Sequence, residues 1–167
     1  MADLTIALAG NPNAGKTTIF NALTGLRQHT GNWPGKTVEK KEGEIEHNGI
    51  KINIVDLPGT YSLTAYSPEE IIARDYIIEE RPDVVINVID ATNLERNLYL
   101  TIQILELDVP VVLALNMMDD LQRDGTRINV NHLSQLLGNI PVVQTTANKD
   151  KGILELINKA VYLARAN

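Results

Sequence analysis

Residues Gly10-Asn11-Pro12-Asn13-Ala14-Gly15-Lys16-Thr17-Thr18 decide the fold of this 167-residue chain, because they match the pattern G-x-x-x-x-G-K-T. The apolar run Leu4–Ala9 before them is typical of a buried strand, and residues 18–25 after them are typical of a helix that ends at Gly25. Strand, glycine-rich loop and helix start together build an anion site. Backbone N–H groups converge on phosphate oxygens, Lys16 adds a positive charge and Thr17 offers a hydroxyl to Mg²⁺. We therefore expect the whole loop, from Gly10 to Thr18, to bind the phosphates of a nucleotide.

The composition favours one soluble domain over residues 1–167, with 44% hydrophobic residues and a formal net charge of −6. An acidic chain argues against a broad nucleic-acid-binding face, so we expect no nucleic-acid partner. The chain has no cysteine, which excludes disulfides, a thiolate nucleophile and cysteine metal ligands. The apolar runs Val84–Ile89 and Val109–Leu115 are too short to span a membrane, and the first nine residues indicate no signal peptide.

Strand and helix signals alternate along the chain, which predicts a three-layer α/β domain with a parallel sheet covered on both faces. The expected strands are Leu4–Ala9, Thr37–Glu46, Ile50–Asp56, Asp83–Asp90, Val109–Asn116 and Ile140–Gln144. Asn48-Gly49 predicts a tight hairpin turn, so the second and third strands should be antiparallel. The expected sheet is six-stranded and mostly parallel, with one antiparallel strand. A further helix should begin at Ser67-Pro68, with serine as its N-cap.

A second phosphate-side element, Asp56-Leu57-Pro58-Gly59, ends the third expected strand, about 40 residues after the glycine-rich loop. Asp56 there can hold Mg²⁺ through water, and the Gly59 N–H can reach a γ-phosphate. The glycine-rich segment 28–37 predicts a mobile loop. Thr37 in that loop is a candidate to close on Mg²⁺ when a γ-phosphate is present. The alternative is that Thr37 is merely the first residue of a strand.

The base-side element is Asn116-Met117-Met118-Asp119, at the end of the fifth expected strand. The Asp119 carboxylate can accept hydrogen bonds from guanine N1–H and the 2-amino group, a donor pair that adenine lacks, so the element favours guanine over adenine. Asn116 can connect this loop to the phosphate loop, and the apolar Met117 side chain can cover the face of the base. Thr146-Ala147-Asn148 follows the sixth strand, where a backbone N–H can meet guanine O6, or the segment is a simple loop.

With these residues assembled, the chain resembles the Ras-like GTPase superfamily over almost its whole length. More narrowly, it resembles the N-terminal G domain of the ferrous iron transport protein B family. The resemblance lies in the loop 10–17, in 31–35 (Gly-Asn-Trp-Pro-Gly), in 56–63, in 93–98 and in 114–119. It implies a Ras-like P-loop GTPase fold without the family's helical spacer or transmembrane region.

The resemblance also implies a reaction, which is slow hydrolysis of GTP to GDP with Mg²⁺. Thr60 stands where many GTPases place a glutamine that positions water. In potassium-activated GTPases an asparagine matching Asn13 binds K⁺, and switch-loop carbonyls near Asn32, Trp33 and Gly35 complete the cage. The implied catalytic residues are therefore Asn13, Lys16, Thr37 and Gly59, with Thr17, Thr37 and Asp56 at Mg²⁺. For Trp33, shielding the nucleotide and packing on the surface both stay open.

The implied setting is the cytoplasmic face of the bacterial inner membrane, with the iron-permease region of a parent protein as partner and regulation of ferrous iron uptake as the role. The alternatives are a ribosome-assembly or tRNA-modification GTPase and a guanine-nucleotide sensor with negligible hydrolysis. A homo-oligomer also stays open.

Overall fold

The structure is a computed structural model and describes residues 2–166. Within that range seven strands form one sheet in the order β2-β3-β4-β1-β5-β6-β7. The strands are β1 (Leu4–Gly10), β2 (Gln28–Asn32), β3 (Glu39–His47), β4 (Ile50–Asp56), β5 (Val84–Asp90), β6 (Val111–Asn116) and β7 (Val142–Gln144). The predicted α/β class is confirmed, and β3 is the strand that runs opposite to the other six.

Six helices connect and cover the strands. They are α1 (Lys16–Thr24), α2 (Pro68–Glu80), α3 (Leu94–Glu106), α4 (Met118–Arg123), α5 (Val130–Leu136) and α6 (Ile153–Ala166), with single 3₁₀ turns at Ala91–Asn93 and Ala147–Lys149. The predicted caps are confirmed. Ser67 Oγ accepts a hydrogen bond from the Glu70 N–H at 3.2 Å, and α1 ends at Thr24, directly before Gly25, whose φ of 58° is left-handed. None of the helices described has the length and apolar character that crossing a membrane requires.

The core has two sides because the side chains of a strand alternate between the faces of a sheet. In β1, Ile6 and Leu8 join the cluster under α1 and α6, whereas Ala7 and Ala9 join the cluster under α2 and α3. Each fully buried isoleucine or leucine contributes roughly 1.5–3 kcal/mol to folding. A third cluster, which includes Leu115 and Leu121, lies under α4 and α5. This three-layer packing fixes the positions of the strand ends.

The strand count and some boundaries were predicted wrongly. Residues 28–32, expected in a mobile loop, form the edge strand β2, which pairs antiparallel with β3 from Gln28↔Gly43 to Asn32↔Glu39. The second expected strand begins at Glu39 instead of Thr37, because residues 33–38 turn back on themselves. The Trp33 N–H donates to Val38 O at 3.0 Å, and the Lys36 N–H donates to Trp33 O at 2.9 Å. The interpretation of Thr37 as a strand residue is therefore wrong.

Candidate functional site

The carboxyl ends of the parallel strands meet at one edge of the sheet, the usual ligand-binding edge of such folds. β1 ends there at Gly10, β4 at Asp56 and β6 at Asn116, and the 145–147 segment follows β7. The sequence elements chosen for phosphate and base therefore lie at one edge of the sheet. The fold brings together residues that are more than a hundred positions apart in the chain.

The phosphate loop runs from Gly10 to Lys16 in a conformation that depends on glycine. Gly15 has a φ of 93°, and a Cβ added there would lie 2.1 Å from Asn116 Nδ2. A Cβ on Gly10 would lie 2.6 Å from Val88 O, so both glycines are needed for close backbone approach. No side chain caps α1, whose first residue is Lys16. The backbone N–H groups of its first turn are therefore directed at the site edge, where an anion can accept from them.

Lys16 and Asp56, assigned to phosphate and to Mg²⁺, contact each other directly. The Lys16 ammonium donates to Asp56 Oδ1, and both residues are buried. Removing one partner of a buried ion pair leaves an uncompensated charge, which typically costs about 3–5 kcal/mol. The pair places a cation for phosphate oxygens beside an acceptor for a water-bound Mg²⁺, so these residues fit the ligands expected of them. Thr17 and Thr37 are both exposed.

The segment after β4 lies against the phosphate loop. The Leu57 N–H donates to Leu8 O at 3.0 Å, and the Thr60 N–H donates to Gly10 O at 3.1 Å. Gly59 lies so close to Pro12 that a Cβ at position 59 would be 3.3 Å from the Pro12 Cα. Gly59 is therefore placed beside the loop, as its assignment to the γ-phosphate requires.

Residues 61–64 are held by side chains that the sequence analysis missed. The Arg96 guanidinium lies 4.4 Å from the centre of the Tyr61 ring, and the Leu63 N–H donates to Gln103 Oε1 at 2.7 Å. The Glu70 carboxylate accepts hydrogen bonds from the hydroxyls of Ser62 and of Thr64. Arg96 lies within the 93–98 stretch that carries the family resemblance, and this resemblance was the sequence feature that could have indicated a role for Arg96. Glu70 and Gln103 had no comparable signal.

The hydrogen bond from Ser62, followed by that from Thr64, lowers the pKa of Glu70 despite the opposing effect of burial. The carboxylate is therefore ionised wherever the loop is folded near neutral pH. It fixes the loop that follows Gly59.

Asn116 joins the phosphate loop to both base-side loops. Its Nδ2 donates to Ala14 O at 3.0 Å, and its Oδ1 accepts from Thr145 Oγ1 at 2.9 Å and from the Ala147 N–H at 3.1 Å. The predicted connection between the base and phosphate loops is thus confirmed. Met117 next to it has a left-handed φ of 63° and packs its methyl group towards Gly15.

Asp119 lies in the first turn of α4 and is partly buried, with 19% of its side chain exposed. Lys149 Nζ lies 3.2 Å from Asp119 Oδ2, and Arg123 lies 3.9 Å from the same oxygen. Burial alone would raise the pKa of Asp119. The hydrogen bond and charge of Lys149, with the backbone N–H groups of α4, outweigh that effect and lower the pKa. Asp119 is thus held as a carboxylate, the form that can accept from guanine.

Of the third element, Thr146 and Ala147 are buried and Asn148 is exposed. The Ala147 N–H is used by Asn116 Oδ1. This bond fixes the start of the Ala147–Lys149 turn beside the base-side loop.

The proposed potassium ligands divide into two groups. Asn13 is exposed on the phosphate loop with a left-handed φ of 73°, so its amide is available at the site edge. Asn32 and Gly35 are also exposed. Trp33 is 7% exposed and packs in the core, its ring 5.7 Å from that of Tyr76. Of the two alternatives left open for Trp33, packing on the surface is therefore wrong.

Two buried side chains of the described region have unpaired polar atoms, Asn11 (both amide atoms) and Trp33 (Nε1). Asn11 also lines a cavity of about 180 Å³ with Asn13, Tyr61 and Arg96. The cavity lies between the phosphate loop, residue 61 and the start of α3.

The fold and the site together define a Ras-like P-loop G domain. A family model described as "Ferrous iron transport protein B" matches residues 4–160, so the chain belongs to that family. A Fe(2+) transport protein A/Fe(2+) transporter FeoB fusion protein of Porphyromonas gingivalis is 52% identical, over 96% of this chain and 19% of that protein. The chain thus spans about a fifth of the length of this curated relative.

Solved structures of the same family are also similar to this chain. The FeoB G domain of Methanococcus jannaschii has 53% identity and a TM-score of 0.86, covering 100% of both chains. The cytosolic domain of the Thermotoga maritima FeoB iron transporter in a GDP form has 48% identity and a TM-score of 0.93, covering 98% of this chain and 64% of that one. The alternative of a ribosome-assembly or tRNA-modification GTPase is therefore not retained.

Proposed function

We propose that this chain binds GTP and GDP with Mg²⁺ and hydrolyses GTP slowly, with K⁺ as an activator. The observation that carries the proposal is the hydrogen-bonded connection through Asn116. It holds the phosphate loop, the Asp119 loop and the 145–147 loop as one unit. The GDP form of the T. maritima relative, 48% identical, supports the same ligand class.

On the phosphate side, the loop N–H groups and Lys16 bind the α-, β- and γ-phosphates, and Gly59 donates its N–H to the γ-phosphate. When nucleotide binds, Lys16 exchanges its bond with Asp56 for phosphate oxygens, and the freed Asp56 carboxylate would then help to hold Mg²⁺ through water. Thr17 and Thr37 supply hydroxyl oxygens. These residues would hold Mg²⁺, which would supply neutralisation of the charge that develops on the phosphates.

On the base side, Asp119 accepts from guanine N1–H and the 2-amino group, while Met117 covers one face of the ring. Adenine presents no such pair of donors. Because a site built for hydrogen bonds discriminates strongly against a ligand that lacks them, we expect GTP to be preferred over ATP by at least about 100-fold.

No glutamine follows Gly59 to position water for hydrolysis. The residue there is Thr60, which is buried and donates its N–H to Gly10 O. Asn13 offers an amide oxygen beside the phosphates, and the carbonyls of residues 32, 33 and 35 are further candidate ligands. Oxygens of this kind suit a weakly hydrated monovalent cation. K⁺ held in part by Asn13 would supply the charge neutralisation that GTP hydrolysis requires.

The test is steady-state GTP hydrolysis in matched KCl and NaCl buffers, with ATP as the substrate control. We expect a several-fold higher rate in KCl, and we expect Asn13→Ala to abolish that difference while GDP binding stays near that of the unmodified chain. Equal rates in the two salts would overturn the assignment of K⁺. Absence of any GTP-dependent phosphate release would leave a guanine-nucleotide sensor, a second candidate that buried Thr60 favours.

At the level of the parent protein, we infer that the domain lies on the cytoplasmic face of the bacterial inner membrane and regulates ferrous iron uptake by an attached permease region. Family membership and the fifth of the relative's length that the chain spans support this role. The test replaces the G domain of a full-length relative with this chain and measures Fe²⁺ uptake by cells, with Lys16→Ala as the inactive control. Equal uptake with Lys16→Ala and with the unmodified chain would contradict the role.

A further inference from the structure

The base-side edge contains a cation that the assigned motifs do not use. Lys149 ends the Ala147–Lys149 turn, and its ammonium lies 3.2 Å from Asp119 Oδ2. The strand end that leads to Asp119 brings no positive charge, since Asn116, Met117 and Met118 are all uncharged. The cation therefore comes from the neighbouring loop.

The two loops form a closed ring of contacts. Asn116 Oδ1 accepts from the Ala147 N–H at 3.1 Å, which fixes the start of the turn. Two residues further on, Lys149 reaches Asp119, which lies three residues after Asn116 along the chain. The position of Lys149 is thus set by the same asparagine that connects the base loops to the phosphate loop.

We propose that Lys149 is a positioning residue for guanine recognition, which holds the Asp119 carboxylate in the orientation that presents its remaining lone pairs to guanine N1–H and the 2-amino group. The inference rests on the proposed function and deepens it. It assigns part of the base specificity to a residue outside the base-reading motif.

The stereochemistry permits both contacts at once. An ionised carboxylate has about four lone-pair sites on its two oxygens. Lys149 occupies one of them on Oδ2, which leaves at least one on each oxygen for the two guanine donors. Lys149 also contributes to lowering the pKa of Asp119, in keeping with a contact that favours the acceptor form.

The other cation paired with Asp119 in the described part of the chain is Arg123, on the same helix. Arg123 lies 3.9 Å from Asp119 Oδ2 but 3.0 Å from Asp120 Oδ1, so its principal partner is Asp120. The Ala91–Asn93 turn, which packs against α4, brings no charged side chain. Lys149 is therefore the cation with the direct contact to Asp119.

The experiment measures GDP and inosine diphosphate (IDP) binding by calorimetry for the unmodified chain, Lys149→Met, Lys149→Arg and Lys151→Met. The Lys149→Met variant removes the ammonium group but keeps an apolar side chain of similar length to the lysine stem. The Lys151→Met variant removes the same charge from an exposed position two residues away. The Lys149 side chain is 54% exposed, so removing its charge should cost the fold little, and all four proteins should unfold at similar temperatures.

We expect Lys149→Met to weaken GDP binding about fivefold, Lys149→Arg to restore most of the affinity and Lys151→Met to leave it unchanged. The loss should be smaller with IDP, about twofold, because hypoxanthine lacks the 2-amino group and makes one contact with Asp119 instead of two. The loss of GDP affinity on acidification should also begin at a higher pH in Lys149→Met, because the pKa of Asp119 rises without the ammonium.

Unchanged or tighter GDP binding by Lys149→Met would overturn the inference and leave the proposed function intact. Equal losses for GDP and IDP would overturn it too, because the lysine would then act on the charge of the nucleotide and not through Asp119. Failure of the unmodified chain to bind GDP would overturn the proposed function, and this inference with it.

Discussion

Asn116 makes three side-chain hydrogen bonds and is 3% exposed, so replacing it leaves other buried groups without partners. In Asn116→Ala the Ala147 N–H and the Thr145 hydroxyl lose their acceptor, and Ala14 O loses its donor. Each unpaired buried group typically costs about 1–3 kcal/mol. We expect Asn116→Ala to lower the free energy of unfolding by roughly 3–5 kcal/mol, measured by urea denaturation.

The matched control for that substitution is Asn131→Ala, at an exposed position of α5. It should change the free energy of unfolding by no more than about 0.5 kcal/mol. Similar effects of the two substitutions would show that the network through Asn116 does not stabilise the fold.

Glu70 gives a prediction about pH. Its pKa is lowered in the folded protein by the Ser62 and Thr64 hydroxyls, so the stabilisation that it provides is fully present above the ordinary glutamate range. That stabilisation is lost as the pH falls through the lowered folded-state pKa. In Glu70→Gln the free energy of unfolding should fall less steeply over this acidic interval, as followed by denaturation at a series of pH values. A slope identical to that of the unmodified chain would contradict the role of the carboxylate.

The roles of some residues could be predicted from the sequence, and those of others could not. The position of Asn116 followed from its spacing to Asp119 and its place at a strand end. The contacts of Glu70 and Gln103 could not be predicted, because they depend on the path of residues 61–64 between β4 and α2. The contact of Lys149 with Asp119 depends in the same way on how two separate loops meet.

At the scale of elements, the start of α2 is set by one hydroxyl. The bond from the Glu70 N–H to Ser67 Oγ pairs one of the free N–H groups of the first turn. We expect Ser67→Ala to lower the free energy of unfolding by about 1 kcal/mol, and Ser67→Asp to retain most of the stability because aspartate is also a good N-cap. Thermal unfolding of the three proteins measures this, and equal losses in both variants would argue against capping.

The edge strand β2 shows why one element was missed. Its sequence, Gln28-His29-Thr30-Gly31-Asn32, is polar and contains glycine, which is typical of loops. Its strand conformation comes from pairing with β3, a tertiary contact that no local pattern encodes. The strands with continuous apolar runs, such as β1 and β5, were predicted within one residue because burial on both faces determines their composition.

At the scale of the whole molecule, nucleotide binding should stabilise the entire fold, because the site joins four strand ends. A ligand at 100 times its Kd stabilises the folded state by about 2.7 kcal/mol. We expect GDP with Mg²⁺ at that concentration to raise the midpoint of thermal unfolding by roughly 5–10 °C. ADP at the same concentration is the control and should give no shift, and an equal shift with ADP would contradict guanine selectivity.

The arrangement of the site could be predicted at this scale because parallel strands place their carboxyl ends at one edge. The path of residues 33–38 could not be predicted, because it follows from the burial of the Trp33 side chain against α2 and the sheet.

That aromatic residue, Trp33, is the single tryptophan of the chain, and its indole is shielded between Tyr76 and the Lys40 ammonium. Fluorescence excited at the long-wavelength edge of the protein's absorption spectrum therefore comes from the Trp33 indole alone. A movement of the 33–38 turn that exposes the ring shifts the emission maximum to longer wavelengths. A movement that keeps the ring buried leaves the emission maximum unchanged. The chain thus carries its own optical reporter of the turn that contains Thr37, with no label attached.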